Sequence, residues 1–256
     1  MVNILTIQAF SDNYIWLIKD SQSAHCILVD PGEAAPVLQL LENQQLIVDA
    51  ILLTHHHKDH TGGVKALLDA QPQDIKLYSK NMLFPQCELV HEGDTLHFFD
   101  GRYSLQVTEV PGHTLDHIAF YNDDALFCGD TLFSAGCGRV FEGTHEQMYD
   151  SVSRLAALPE HTKVYCAHEY TQANLSFALQ VEPKNEALLA YTREASKKRQ
   201  QGIPTIPTSI GQEKAINPFL RCEEAAVINR MQNILAQPIS SHLECFKALR
   251  TYKDNF

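Results

Sequence analysis

Long apolar runs and a targeting segment are missing from this sequence. Its 256 residues contain no stretch of the roughly 18 or more apolar residues that a membrane-spanning helix requires. The first residues, Met1-Val2-Asn3-Ile4, also lack the basic segment and long apolar core of a signal peptide. We therefore expect a cytoplasmic protein with no membrane partner.

Paired cysteines and an excess of positive charge are missing as well. The seven cysteines form an odd set without a C-x-x-C pair, which argues against a disulfide framework and against a structural zinc knuckle. We expect reduced thiols, several of them in the core. The formal net charge of −11 disfavours nucleic acid as a partner. A small anionic substrate would then need a local basic patch.

The chain is long enough, and with 45% hydrophobic residues apolar enough, to bury a large core. Short apolar runs bounded by turn residues predict strands at 27–29, 51–53, 105–110, 119–121, 126–128 and 164–166. Apolar residues three or four apart predict helices at 36–41, from Val64, and from a capping box at Thr144 to Pro159. This alternation is typical of an α/β fold with sheet cores and outer helices.

Strand patterns fade after about residue 172. Helical patterns follow, at 185–201, 223–235 and 241–253. A proline-rich loop, 202–207, separates the first two of these helices. We therefore predict a first domain over residues 1–172 and a smaller, mostly helical domain over residues 173–256.

The most informative segment follows the predicted strand 51–53. It is an H-x-H-x-D-H array formed by His55, His57, Asp59 and His60. In open α/β sheets, ligands bind at the carboxyl ends of strands, and imidazole and carboxylate donors suit zinc, iron or manganese. The alternative is a solvated histidine tract. The segment is internal, spaced and followed by a Thr-Gly-Gly turn and a predicted helix, so we favour a metal site.

Three more donors follow predicted strands in the same way: His113, Asp130 and His168. If these strand ends converge on one sheet edge, the chain supplies seven donors, which suits two ions bridged by one carboxylate. Taken alone, either histidine could be a buried structural residue and the aspartate a turn residue. His56 lies between two ligands and is expected to point the other way, so we interpret it as a supporting residue.

These motifs, with Pro111-Gly112-His113-Thr114 and Gly129-Asp130-Thr131, resemble the metallo-β-lactamase superfamily. Within it, the sequence is similar over its whole length to the glyoxalase II family, the hydroxyacylglutathione hydrolases. The segments typical of that family are 11–14, 129–139, 166–170 and 253–256. The resemblance implies an αββα sandwich of the metallo-β-lactamase type with a smaller C-terminal helical domain.

The resemblance also implies two divalent metal ions, zinc by expectation, with iron or manganese as alternatives. One ion would be held by His55, His57 and His113. The other would be held by Asp59, His60 and His168, with Asp130 bridging the two. Asp59 and Asp130 are then also the expected catalytic residues.

The glutathione part of the substrate would meet residues that match the family's contacts: Arg139, Tyr170, Arg250 and Lys253. Phe141 is expected at a further substrate-binding position. Two positions depart from the family pattern. Phe141 replaces a tyrosine of some members and so lacks a hydroxyl contact, and Asp116 replaces a more usual glycine.

Two of these contacts, Arg250 and Lys253, lie three residues apart in the predicted helix 241–253. They stand beside an apolar line that should dock the helix, formed by Leu243, Phe246 and Leu249. The alternative is a solvated basic pair that favours the helix dipole.

The implied reaction is hydrolysis of S-D-lactoylglutathione to glutathione and D-lactate by a hydroxide held between the metals, the second step of methylglyoxal detoxification, in a monomeric enzyme. A persulfide dioxygenase of the same superfamily is the main alternative, but it needs only one metal site. A nuclease would need a basic surface, which the net charge of −11 does not indicate. A non-catalytic metal-binding module would not need the cations of the helical domain.

Overall fold

The computed structural model describes residues 2–70 and 74–256. They form two compact units. The N-terminal unit runs up to Glu109 and includes Asp116–Asn122 and Leu126–Gly129. The C-terminal unit consists of Val110–Leu115, Asp123–Ala125 and Asp130–Phe256.

The first sheet of the N-terminal unit has the strand order β1-β2-β3-β4-β5-β6. Its strands are β1 (Val2–Ala9), β2 (Asn13–Asp20), β3 (His25–Val29), β4 (Ile47–Leu52), β5 (Lys76–Ser79) and β6 (Cys87–Leu89). The first three are antiparallel, and β3 to β6 are parallel. Parallel neighbours need a crossover connection, which is helical between β3 and β4 and between β4 and β5. The helices are α1 (Ala34–Gln44), α2 (Lys58–Thr61) and α3 (Val64–Ala70).

The helices α1 and α3 supply the apolar side chains that cover this sheet. Val37 of α1 and Val64 of α3 are fully buried in one cluster with central strand residues such as Leu28 and Ile51. Burying one such aliphatic side chain contributes about 1.5 to 3 kcal/mol. The packed sheet therefore provides a rigid base for the loop that follows β4.

A second set of strands in the N-terminal unit is antiparallel, in the order β10-β9-β8-β7. The strands are β7 (Thr95–Phe98), β8 (Tyr103–Glu109), β9 (Ile118–Tyr121) and β10 (Ala125–Gly129).

The C-terminal unit is mostly helical. Its strands are short: β11 (Leu132–Phe133), β12 (Gly136–Cys137), β13 (Lys163–Cys166) and β14 (Thr208–Ser209). Its helices are α4 (His145–Ala156), α5 (Thr171–Val181), α6 (Glu186–Gln200), α7 (Ile210–Ile216), a 3-10 turn (Pro218–Leu220), α8 (Ala225–Leu235) and α9 (His242–Asp254). Its largest apolar cluster includes Met148 of α4, Phe177 of α5 and the α9 residues Phe246 and Leu249.

Most of the predicted elements are confirmed within a few residues. The capping box at Thr144 is present, because its hydroxyl accepts from the Gln147 amide while the Gln147 side chain accepts from the Thr144 amide. Phe246 and Leu249 dock α9 as the apolar line predicts. The sequence interpretation did not assign the β1–β2 hairpin, nor helix α5 that opens the helical region.

Within residues 2–70 and 74–256, no helix is long and apolar enough to cross a bilayer. All seven cysteines are free thiols, and all are buried, as expected.

Candidate metal centre

Four predicted ligands lie directly after β4 in residues 55–60 of the N-terminal unit, a segment that includes the start of α2 and is called the ligand loop below. His55 and His57 precede α2, and His57 is its N-cap residue. Asp59 and His60 are in α2 itself, with His60 buried and the Asp59 side chain 42% exposed. The buried strand β4 ends where the polar loop begins, which places the four donors at its carboxyl end as predicted.

A buried carboxylate fixes the orientation of two of these histidines. The Thr54 hydroxyl donates to Asp30 Oδ2 at 2.7 Å, so it accepts from His55 Nδ1 at 3.0 Å. His60 Nδ1 donates to the same Asp30 oxygen at 2.9 Å. In both rings Nδ1 carries the proton of the neutral tautomer, so Nε2 is the nitrogen left for a metal. Neutral imidazoles oriented in this way are ready to bind a metal.

Sequence reasoning did not identify Asp30 or Asn13 as functional residues. Asp30 follows β3 with φ 51° and also accepts the Thr54 amide at 2.8 Å. Asn13 donates through Nδ2 to Asp59 Oδ2 at 3.1 Å. The available signal for Asp30 was its position at a strand end, in Asp30-Pro31-Gly32, but no pattern gives its partners.

Gly32 allows helix α2, which carries Asp59 and His60, to approach the loop after β3 closely. A Cβ atom at Gly32 would lie 1.7 Å from the backbone oxygen of Asp59, so no larger residue fits without moving α2.

The other three predicted ligands meet within the C-terminal unit. Asp130 directs one carboxylate oxygen to each histidine: Oδ2 lies 3.4 Å from His113 Nε2, and Oδ1 lies 3.4 Å from His168 Nε2. His113 Nδ1 donates to the backbone oxygen of Arg139 at 2.8 Å, which leaves its Nε2 lone pair toward Asp130. All three ligands are buried. A carboxylate between two imidazoles is the arrangement expected of a bridging ligand.

The donor distances fit metal ligation in both units. Ligands 2.0 to 2.2 Å from one tetrahedral zinc ion lie about 3.3 Å from each other. The corresponding distances are 3.0 Å for His55 Nε2 to His57 Nδ1, 3.5 Å for His60 Nε2 to Asp59 Oδ2, and 3.4 Å for Asp130 to each of its histidines. The donor set is imidazole and carboxylate, which suits zinc, iron or manganese.

Three predicted substrate contacts surround the ligands of the C-terminal unit. The exposed Phe141 ring lies 5.1 Å from the His113 ring, and the Arg139 guanidinium lies 6.0 Å from the Phe141 ring centre. The ring of Tyr170 stacks on that of His168 at 4.6 Å, with an interplanar angle of 7°. Phe141 and Tyr170 are 61% and 39% exposed, so both keep a face for a ligand.

Arg250 is not a solvated cation. Its side chain is buried and its Nη1 donates to the backbone oxygens of Cys137 at 2.9 Å and Gly138 at 3.3 Å. Its Nη2 pairs with Asp254 at 2.9 Å. The alternative of a solvent-exposed basic pair on α9 is therefore wrong for Arg250, which holds the end of β12 and the residue after it.

Lys253 occupies a partly apolar site. Its ammonium donates to Asn174 Oδ1 and lies 5.8 Å from the ring centres of both Phe177 and Phe219. Burial lowers the pKa of Lys253 to about 8, and the neighbouring Arg250 charge acts in the same direction. An anionic ligand beside this ammonium would stabilise its charged form.

Family models match both parts of the chain. The model described as metallo-beta-lactamase superfamily matches residues 10–86 and 87–168, and the one described as hydroxyacylglutathione hydrolase C-terminus matches residues 169–256. A curated hydroxyacylglutathione hydrolase of Psychromonas ingrahamii is 70% identical over 256 residues, covering 100% of each chain.

Solved structures also share the fold. The ETHE1 protein of Myxococcus xanthus has 26% identity and a TM-score of 0.64, covering 99% of this chain and 98% of its own. The protein TTHA1623, solved in a di-iron-bound form, has 25% identity and a TM-score of 0.59, covering 85% of this chain and 100% of its own.

The family match and the mixed sheets with their helices are those of the metallo-β-lactamase superfamily, and the predicted fold class is confirmed. Within that superfamily the chain belongs to the hydroxyacylglutathione hydrolase family, which is glyoxalase II.

Proposed function

We propose that this chain hydrolyses the thioester of S-(2-hydroxyacyl)glutathione, with S-D-lactoylglutathione as substrate and glutathione and D-lactate as products, the second step of methylglyoxal detoxification. The observation that carries the proposal is 70% identity over the full length to a protein named hydroxyacylglutathione hydrolase. The persulfide dioxygenase alternative is not favoured, because the C-terminal family model is that of the hydrolases.

The metal part of the proposal is a pair of divalent ions. One would be held by His55, His57 and His113, the other by Asp59, His60 and His168, with Asp130 as the bridge. The donor distances and the histidine tautomers within each unit support this assignment. The di-iron-bound form of TTHA1623 supports two ions, and we propose zinc, with iron and manganese as alternatives. When bound, such ions lower the pKa of water to about 7 and polarise a carbonyl.

The chain's own residues hold this chemistry in place. Asp30 keeps the imidazoles of His60, directly, and His55, through Thr54, in one tautomer. Asn13 orients the carboxylate of Asp59, which we propose as a catalytic residue beside Asp130. The leaving group is a glutathione thiolate, and free cysteine has a pKa of about 8.5, so it departs without a strong general acid. Because the bound ions would supply hydroxide as the nucleophile, no serine or cysteine nucleophile is needed.

The substrate part of the proposal assigns the glutathione moiety to the C-terminal unit. The exposed Arg139, the exposed rings of Phe141 and Tyr170, and the partly buried Lys253 are available to a ligand. Arg250 would act in the same region, where it already holds the chain that carries Arg139. We propose a catalytic domain over residues 1–172 and a substrate-binding domain over residues 173–256; the family model for residues 169–256 supports this boundary.

The test measures thiol release from S-D-lactoylglutathione and metal content on one purified sample. We expect turnover with two ions per chain, loss of turnover on chelation, and recovery with added zinc. Oxygen consumption with glutathione persulfide, without thiol release from the thioester, would favour the dioxygenase instead. Light scattering on that sample tests the proposed monomer, and cell fractionation tests the proposed cytoplasmic location.

A further inference from the structure

The segment that leads into β9 runs beside the ligand loop of the N-terminal unit. Ile118 donates its backbone N–H to the carbonyl oxygen of Thr54 at 2.9 Å. The ring of His117 stacks on the ring of His55, with centroids 4.5 Å apart and planes 17° apart. The ligand loop is thus supported by its neighbour in the fold as well as by Asp30.

The next contact in this series belongs to Asp116, whose Oδ1 lies 2.9 Å from His56 Nδ1. Residues 116–118 therefore contact residues 54–56 in antiparallel order. The other oxygen of Asp116 accepts from Asn81 Nδ2 at 3.3 Å, which ties the carboxylate to the loop after β5. The side chain of Asp116 is only 7% exposed, and a carboxylate buried to that extent is stable only when it is hydrogen-bonded.

His56 lies between two proposed ligands. The rings of His55 and His57 approach each other, with His55 Nε2 3.0 Å from His57 Nδ1, whereas the His56 ring is directed to Asp116. Since Asp116 accepts a hydrogen bond from His56, it restrains the backbone between the two proposed ligands. The directions of the two ligand side chains depend on that backbone.

We propose that Asp116 is a positioning residue for the metal site, acting through His56 on the loop that presents His55 and His57. The inference rests on the proposed metal-dependent function. Partners bonded directly to a ligand are worth about 10- to 100-fold in metal affinity. Asp116 acts one residue further away, so we expect the lower end, a loss of about tenfold on its removal.

The chain offers a matched control for this inference. His25 and Asp49 form the same kind of pair in the same unit, with Nδ1 2.6 Å from Oδ1, on strands β3 and β4. Their side chains are 45% and 36% exposed, and neither is a proposed ligand. Asp49→Ala therefore removes an aspartate–histidine pair without touching the ligand loop.

The experiment measures zinc affinity by competition with a chromophoric chelator. It compares the wild type with Asp116→Ala, Asp116→Asn, His56→Ala, the double variant Asp116→Ala/His56→Ala, and Asp49→Ala. Asparagine keeps an acceptor oxygen for His56, so Asp116→Asn should bind zinc within about threefold of the wild type. Asp116→Ala and His56→Ala should each lose about tenfold, and the double variant should lose little more, because the pair acts as a unit. Asp49→Ala should not change.

The visible absorption of the cobalt(II)-loaded proteins separates positioning from general instability, because its shape reports ligand geometry. We expect an altered spectrum in Asp116→Ala and an unaltered one in Asp116→Asn and Asp49→Ala. Circular dichroism of the metal-free forms checks that each variant is folded, and the His56→Ala measurement stands if Asp116→Ala does not fold. Wild-type affinity and spectrum in both alanine variants would overturn the inference alone. A wild-type protein that binds no metal would overturn the proposed function with it.

Discussion

The two sets of proposed ligands are held in different ways. In the N-terminal unit, four ligands lie within 55–60, and one buried carboxylate, Asp30, orients two of them. In the C-terminal unit, the three ligands are spread over 113–168. The turn between β11 and β12, which follows Asp130, is held by side chains from far along the chain.

The remote contacts in the C-terminal unit come from α7, its C-terminal end and α9. The buried Glu213 accepts the amide of Ala135 at 2.7 Å, and Asn217 donates to the backbone oxygens on both sides of that turn. Arg250 then clamps the next two residues. The side chains that hold His60 and Asp59 come from 30 and 46 residues away in the sequence, whereas those that hold the turn after Asp130 come from 78 to 113 residues away.

The largest expected effect is that of Asp130→Ala, which removes the carboxylate between His113 and His168. We expect about a thousandfold loss of thiol release and loss of both ions by elemental analysis. His168→Ala should mainly reduce one ion. Equal and mild losses in the two variants would contradict the bridging role of Asp130.

Arg250→Ala tests the remote clamp. Removing one member of a buried, charged hydrogen-bonding group costs about 3 kcal/mol, so the urea midpoint should fall strongly. If the C-terminal ligand set depends on this clamp, metal content should fall as well. Lys247→Ala, which removes another cation of α9 that is partly exposed, serves as the control and should change stability by less than about 1 kcal/mol.

Asp30→Asn tests the carboxylate that orients His55 and His60. The carboxylate of Asp30 accepts three hydrogen bonds through its two oxygens. An asparagine amide has only one acceptor oxygen, so its NH2 group would face at least one of these three donors. We expect a 10- to 100-fold loss of zinc affinity. Asp20→Asn, at a second buried aspartate of this unit that pairs with Arg102, should leave the affinity unchanged. A similar loss in both variants would show that the role of Asp30 is not specific to the ligands.

Glu213, which holds the turn between β11 and β12, makes the stability of the fold depend on pH. Burial raises the pKa of Glu213 to about 7, while its hydrogen bonds from Ala135, Thr208 and Asn217 oppose the shift. A carboxyl with a raised folded-state pKa stabilises the fold below its ordinary pKa of 4.5, and this contribution is lost as the pH rises through about 7. The free energy of unfolding should fall by about 2 kcal/mol between pH 5 and pH 7. Urea titrations should show a flatter pH profile for Glu213→Gln, and an identical profile would rule out this group.

Arg139→Ala should have the smallest effect and should separate binding from folding. The Arg139 side chain is 56% exposed, so its loss should change stability by less than about 0.5 kcal/mol. A charge-assisted contact to a glutathione carboxylate is worth about 1.5 kcal/mol, which raises KM about tenfold while kcat stays close to wild type. Steady-state kinetics on S-D-lactoylglutathione check this, and a fall in kcat at constant KM would place Arg139 nearer the reacting carbonyl.

The proposed ligands are visible in the sequence because each follows an apolar run that stops abruptly. His113, Asp130 and His168 illustrate this, since strand ends in an α/β fold predict a shared edge without any knowledge of side-chain contacts. The supporting residues are not visible. The partners of Asp30 and Asn13 are set by the packing of separate strands, and single polar residues at strand ends carry no periodic signal.

The burial of Arg250 also could not be predicted from the sequence. Its spacing from Lys253 predicts a shared helix face, and the docking line through Phe246 and Leu249 is correct. Spacing cannot tell whether a cation at the edge of that face meets solvent or the backbone of another segment. The carbonyls of Cys137 and Gly138 decide this.

The burial of all seven cysteines has a consequence for a catalyst that releases a thiol. Exchange with glutathione disulfide requires an accessible thiolate. Desolvation raises the pKa of the Cys26 thiol to about 12 and also raises that of Cys137, so in the folded protein these groups are poor nucleophiles as well as inaccessible. Mixed disulfides can then form only when the chain opens. The rate at which the thiols are alkylated therefore measures the rate at which the chain unfolds. The folded enzyme can act in the presence of glutathione without forming mixed disulfides with it.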